Sequence, residues 1–136
     1  MRIQRRAIRS VCVSVAAALT LAFVAGPAEA ATTLGVRPHS GPAGTLVVVK
    51  GSDFRPPGPC SRISIRFKDA TGVSTTIGST LPATDGSFRV SELIPATAAT
   101  GAGTLAARQA RFIPPNFRHC YRGGPHAQTV FTVTGT

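Results

Sequence analysis

The chain has few of the residues from which active sites are usually built. Its 136 residues include no tryptophan, one methionine, one tyrosine, three cysteines and five acidic side chains. Four of the acidic residues lie beyond residue 30: Asp53, Asp69, Asp85 and Glu92. Nothing in their spacing predicts two carboxylates facing each other, as glycoside hydrolysis requires. Asp69 and Asp85 stand in Asp-Ala-Thr-Gly and Asp-Gly sequences, where an aspartate serves the backbone of a turn.

Other signatures of catalysis are also missing. There is no Gly-x-Ser-x-Gly elbow and no phosphate-binding glycine loop. His119, Cys120 and His126 lie near one another in sequence, but without the Cys-x-x-Cys or His-x-x-x-His spacing of metal sites. We therefore expect no enzymatic activity, no bound metal and no cofactor.

The apolar run at 11–26 is too short for a typical membrane span. It has 16 residues, whereas a span needs about 20. Four arginines precede the run, and Ala28 and Ala30 follow it at the −3 and −1 positions of a cleavage site. This three-part pattern predicts a secretory signal peptide over 1–30. We expect residues 31–136 to be secreted, extracellular or held at the cell envelope, with no membrane span after cleavage.

Removal of the leader leaves two cysteines, Cys60 and Cys120. In a small exported domain two cysteines predict one disulfide. Closing a loop of this length stabilises a fold by about 4 kcal/mol in the chain-entropy model.

Residues 31–136 are strongly basic. They contain 11 Lys and Arg residues against four acidic residues, a net charge of +7. Such a charge favours acidic partners, such as an anionic glycan or an anionic cell-envelope polymer. Because of the export signal, we expect no physiological nucleic acid. The alternative is that an arginine-rich composition reflects a GC-rich genome, since nine of the 11 are arginine.

The rest of the chain reads as short strands between turns, with no helical stripe. Ser61–Lys68 alternates most cleanly, with Ile63, Ile65 and Phe67 on one face and basic or polar residues on the other. The predicted strands are 32–36, 45–50, 61–68, 73–77, 88–92, 104–110 and 128–134. This pattern predicts an all-β fold, in which 31–136 forms a single antiparallel immunoglobulin-like β-sandwich of about seven strands with one disulfide. Its core is expected around Phe54, Phe67, Phe88 and Phe131.

Two stretches carry a resemblance to a known family. VRPHSGPAGTLVVVKGSDF (36–54) resembles the opening of IPT/TIG-type immunoglobulin-like domains, and TDGSFRVSELIPATAATGAGTLAA (84–107) is similar to a later part of exported actinobacterial relatives. The matching residues of the opening are Pro38, Gly41, Pro42, Gly44, Thr45, Gly51 and Phe54. The resemblance implies a binding or spacer module with no catalytic residues.

A fainter similarity links SGPAGTLVVVKG and DGSF to the neocarzinostatin-type apoproteins, which hold a chromophore in a cleft. That family carries two disulfides, whereas residues 31–136 can form one. It implies an alternative function, that of a carrier for an apolar small molecule.

A structural or assembly role, with a sheet edge or face pairing with another chain, is a further alternative. The oligomeric state is left open.

The segment RFIPPNFRHCYRGGPH (111–126) concentrates arginines, aromatic residues and prolines as no other segment does. In an immunoglobulin-type sandwich this segment lies at the same end as loop 54–60, FRPPGPC. The disulfide would therefore tie the two loops into one rigid binding surface. The candidate ligand-binding residues are Arg55, Arg111, Phe112, Phe117, Arg118, Tyr121 and Arg122. The alternative is that the phenylalanines cover the open end of the core. A second basic stripe, Arg62, Arg66 and Lys68, is expected to be a solvated strand face.

Overall fold

The structure, a computed structural model, describes residues 31–111 and 119–135. Within these ranges the chain forms eight strands and no helix, so the all-β prediction is confirmed. The strands are β1 (Thr33–Arg37), β2 (Ser40–Pro42), β3 (Leu46–Ser52), β4 (Ile63–Lys68), β5 (Ser74–Thr80), β6 (Phe88–Leu93), β7 (Gly101–Gln109) and β8 (His126–Thr134). No helix in the described part of the chain is long and apolar enough to span a membrane.

The strands form two sheets. One has three strands in the order β1-β3-β6, and the other has five in the order β2-β8-β7-β4-β5. All pairs are antiparallel except β2 and β8, which run parallel. The chain therefore changes sheets between β1 and β2, and β7 lies near the middle of the larger sheet.

The described residues form eight strands where about seven were predicted, and the prediction of purely antiparallel pairing is wrong because β2 and β8 run parallel. Each predicted strand overlaps an observed one, but β2 lies between the predicted strands 32–36 and 45–50, where no strand was predicted. Ser40, Gly41 and Pro42 have no strand-forming pattern of their own, because glycine and proline are depleted in strands. These three residues form a strand because they pair with the edge of β8, which lies far along the chain. β2 is itself an edge strand, so the missing N–H of Pro42 removes no hydrogen bond to a further strand.

Alternation along the strands places the core between the sheets. On β4, Ile63, Ile65 and Phe67 are fully buried while Arg66 and Lys68 are exposed, so the predicted half-buried strand is confirmed. β3 buries Val47 and Val49, and β7 buries Leu105 and Ala107 by the same period of two. Fully burying one such large apolar side chain contributes about 1.5–3 kcal/mol.

The four phenylalanines predicted to form the core are all buried. Phe67 and Phe131 meet edge to face at 6.2 Å between ring centres, and Phe54 and Phe88 meet at 5.4 Å. Gly103 on β7 leaves room for the Phe67 ring, since a Cβ there would collide with it. Phe54 begins loop 54–60, so one aromatic pair anchors the start of that loop to the core.

The two turn aspartates act as the sequence predicts. Asp69 accepts hydrogen bonds from Thr71 N (2.9 Å), Thr71 Oγ1 (2.7 Å) and Val73 N (3.1 Å), and its other oxygen accepts from Ala99 N (3.2 Å). The bond from the Thr71 hydroxyl is the main cause that lowers the pKa of Asp69. Asp85 accepts from the backbone and hydroxyl of Ser87, which lowers its pKa in the same way.

One carboxylate faces the space between the sheets. Glu92 on β6 lies over Gly78 on β5, where any Cβ would collide with the carboxylate. Partial burial there raises the pKa of Glu92 above its ordinary value. The glycine at 78 thus lets β5 and β6 approach with a carboxylate between them.

Candidate functional site

A disulfide joins loop 54–60 to segment 111–126, as the sequence predicts. Cys60 and Cys120, 60 residues apart in sequence, are bonded with their Cα atoms 5.5 Å apart, which confirms the predicted pair. Cys60 ends loop 54–60, and Cys120 lies near the middle of 111–126. The bond therefore brings Cys120 and its described neighbours next to loop 54–60.

Gln109, the last residue of β7, braces loop 54–60 from inside. Its side chain is only 2% exposed, and its amide nitrogen donates to the carbonyls of Arg55 (2.9 Å) and Ser61 (2.7 Å). Its amide oxygen accepts from the backbone N–H of Arg55 (2.8 Å). All three of these hydrogen bonds go to the backbone of Arg55 or of Ser61, the residue that follows the loop. They therefore fix loop 54–60 to the end of β7.

Gln109 was not among the predicted site residues, although the sequence contains a signal for it. Gln109 has the same strand parity as Leu105 and Ala107, so the period of two places a polar amide on the buried face. Buried polar groups require partners. A glutamine at such a position predicts a hydrogen-bonded brace.

Arg55, a predicted ligand-binding residue, is half-buried within the loop end. Its Nη2 atom lies near three carbonyl oxygens and donates to Cys60 O at 2.6 Å, Ala110 O at 2.8 Å and Pro59 O at 3.3 Å. These contacts join loop 54–60 to the end of β7. They give Arg55 a structural role that the prediction did not include.

Arg111 and Tyr121 form the base of the second loop. Arg111 N donates to Tyr121 O (2.6 Å), and Tyr121 N donates to Arg111 O (2.9 Å), an antiparallel bridge next to the disulfide. Both residues and Arg122 are exposed, with Tyr121 40% accessible. We call Arg111, Tyr121 and Arg122 the platform. Phe112, Phe117 and Arg118, the other predicted members, lie outside the described residues.

The platform is continuous with the outer face of the five-stranded sheet. A shallow depression of about 220 Å³ lies between them, and Tyr121 and Arg122 line one side of it. Arg62 and Arg108 line the other side. Arg62, the first residue of the predicted stripe, therefore lies beside the platform together with Arg108, which was not among the predicted site residues.

No acidic residue lines this depression, within the part of the chain that the structure describes. Three guanidinium groups and one phenol surround it. Guanidinium groups bind carboxylates, sulfates and phosphates through paired hydrogen bonds, and a phenol adds a stacking face and one polar atom. The arrangement can therefore hold an anionic group beside an apolar or sugar-like ring.

A metal ion would need a different set of side chains. Among residues 31–111 and 119–135, no group of three or more His, Cys, Asp or Glu side chains lies close enough to hold one. The carboxylates of Asp69 and Asp85 are already engaged in their own turns.

No protein-family model matches this chain, and no curated protein matches it significantly. The IPT/TIG resemblance and the fainter neocarzinostatin-type similarity accordingly stay predictions. The function must be argued from the site itself.

Proposed function

We propose that residues 31–136 are an exported, non-catalytic binding module of the immunoglobulin-like type. In this proposal the disulfide-tied loops 54–60 and 111–126 recognise an extracellular protein, a glycan or an anionic polymer of the cell envelope. The strand order supports the immunoglobulin-like assignment, because two facing sheets with an edge strand that changes sheets suit that type of sandwich. The disulfide supports export, since such bonds persist in oxidising compartments.

The observation that carries the proposal is the bracing of the platform. The platform is held by the Cys60–Cys120 bond, by the Arg111–Tyr121 bridge and, through loop 54–60, by the side chains of Gln109 and Arg55. A loop backbone that is already held rigid loses little further conformational freedom when a partner binds. Arginine and tyrosine are also the residue types that dominate binding energy at interfaces.

The test is retention of the full chain, with its disulfide intact, on immobilised acidic polysaccharides, neutral polysaccharides and secreted proteins. The platform variant R111A/R122A is compared with R37A/R89A, which removes the same charge from the outer face of the three-stranded sheet. Retention on one class that is lost in the platform variant and after reduction supports the proposal. Equal retention of both variants, or retention on none of the three classes, contradicts it.

A carrier of an apolar small molecule is the second candidate. An open cleft of about 850 Å³ lies beside β1, β3 and the segment after β5, with Leu34, Leu81 and Phe88 among its lining residues. This volume suits a small ligand, although Lys50 and Arg89 also line the cleft. The test is binding of an apolar fluorescent dye to the full chain. Dye binding that is lost in L34A/L81A would support this function over the first.

A further inference from the structure

The outer face of the five-stranded sheet carries a row of cations that begins beside the platform, where Arg62 and Arg108 line the depression, and extends beyond it. Arg62, Arg66 and Lys68 lie along β4 and its leading residue, and all are exposed. Arg108 on β7 pairs in register with Ser64, so it occupies the position between Arg62 and Arg66. We call these four residues the basic track.

The spacing of the basic track is regular. Residues two apart on the same face of a strand are separated by about 6.6 Å, and neighbouring strands by about 4.8 Å. Every second position from Arg62 to Lys68 therefore presents one cation: three come from β4 and its leading residue, and one, Arg108, comes from β7 opposite Ser64. The track extends over about 20 Å, far longer than a single bound anion requires.

A groove runs beside the cations because their neighbours are short. Arg66 pairs with Ala106 and Lys68 with Thr104, and these small side chains form the floor. The groove, of about 310 Å³, is lined by Arg66, Lys68 and Arg108 over a floor of Ser74, Thr104, Ala106 and Gln128. It contains hydroxyl and amide groups, and no aromatic side chain among the described residues lines it.

The charge on this face is uncompensated. No acidic residue lines the groove within the described ranges. The nearest in sequence, Asp69, follows Lys68 directly, but its carboxylate accepts four hydrogen bonds from its own turn and from Ala99. The field over the track therefore favours a ligand that is negative along its length.

We propose that the basic track binds a linear acidic polysaccharide, which continues from the platform along the outer face of the five-stranded sheet. The cations match its acidic groups, and the hydroxyl and amide floor matches its sugar hydroxyls, because these side chains both donate and accept hydrogen bonds. A single-stranded nucleic acid fits less well, since its bases stack on aromatic side chains. The inference rests on the proposed function in one respect, namely that the track begins at the platform.

The experiment measures binding of the full chain, disulfide intact, to polygalacturonate at low and near-physiological salt. The track variant R66Q/K68Q/R108Q is compared with R37Q/K50Q/R89Q, which removes two arginines and one lysine from the exposed face of the other sheet. Neutral dextran and a single-stranded oligonucleotide are the comparison ligands. We expect the track variant to lose about tenfold in affinity, and the control variant only a small fraction of that.

Three results would overturn the inference: equal losses in the two triple variants, tighter binding of the oligonucleotide than of polygalacturonate, or no binding of polygalacturonate at low salt. Binding by the platform variant R111A/R122A shows whether the inference or the proposed function has failed. If R111A/R122A loses binding while the track variant retains it, the platform alone is the site and the inference is wrong. If only the track variant loses binding, the track is the site and the platform proposal is wrong.

Discussion

Replacement of Gln109 by alanine would show how firmly loop 54–60 is fixed. The substitution removes three hydrogen bonds of 2.7–2.9 Å and leaves the N–H and C=O of Arg55 and the C=O of Ser61 without this partner. Each such bond contributes about 1 kcal/mol net, so Q109A should lower the free energy of unfolding by about 3 kcal/mol. The backbone bond from Gln109 N to Pro125 O remains in the variant.

A loss of this size is large for a domain whose whole stability is about 5–15 kcal/mol. It should lower the melting temperature by roughly 15 °C, since a small domain loses several degrees per kcal/mol. Urea denaturation of the oxidised chain gives the free energy directly. Hydrogen exchange at Arg55 N should accelerate more than exchange in the centre of β4, because the brace acts on the loop.

The matched control is Q128A on β8, an exposed glutamine on the outer face of the same sheet. Surface substitutions of this kind usually change stability by less than about 0.5 kcal/mol. If Q109A and Q128A differ by less than about 1 kcal/mol, the three bonds do not hold the loop, and the bracing argument is refuted.

Three further outcomes are expected. C60S/C120S should lose about 4 kcal/mol by urea denaturation, from the chain entropy of a loop closed over 60 residues; an unchanged midpoint would contradict this. G86A should destabilise the chain by about 2 kcal/mol more than G44A, because both glycines have positive φ but only a Cβ at Gly86 collides with backbone; equal losses would argue against that contact. Burial raises the pKa of Glu92 above 4.5, so the free energy of unfolding should fall as the pH rises through the raised pKa. In denaturation measured at several pH values, E92Q should show a smaller fall, and parallel curves for the two proteins would refute this prediction.

The sequence predicts most of the fold because most of the fold is locally encoded. Ile63, Ile65 and Phe67 alternate with exposed residues, and this alternation alone defines β4 and its buried face. The strand β2 could not be predicted in this way, because Ser40–Pro42 becomes a strand only through pairing with β8. The disulfide was predictable by counting, since residues 31–136 contain two cysteines.

The site was only partly predictable, for a related reason. Arg55 was selected for its charge, but the fold brings three backbone carbonyls within reach of its guanidinium. Arg108 was not selected, because its place beside Arg62 and Arg66 depends on the register between β4 and β7. Sequence patterns identify the chemistry of a side chain, whereas long-range pairing decides which side chains act together.

The central claim, that the braced platform binds the ligand, is tested most directly by an affinity measurement. The ligand is from the class on which the oxidised full chain is retained, and its affinity is measured for R111A/R122A and for R37A/R89A. The account predicts that R111A/R122A loses several-fold more affinity than R37A/R89A, and that the difference shrinks as salt screens the exposed charges. Equal affinities of the two variants at low salt would contradict the claim that the braced platform is the binding site.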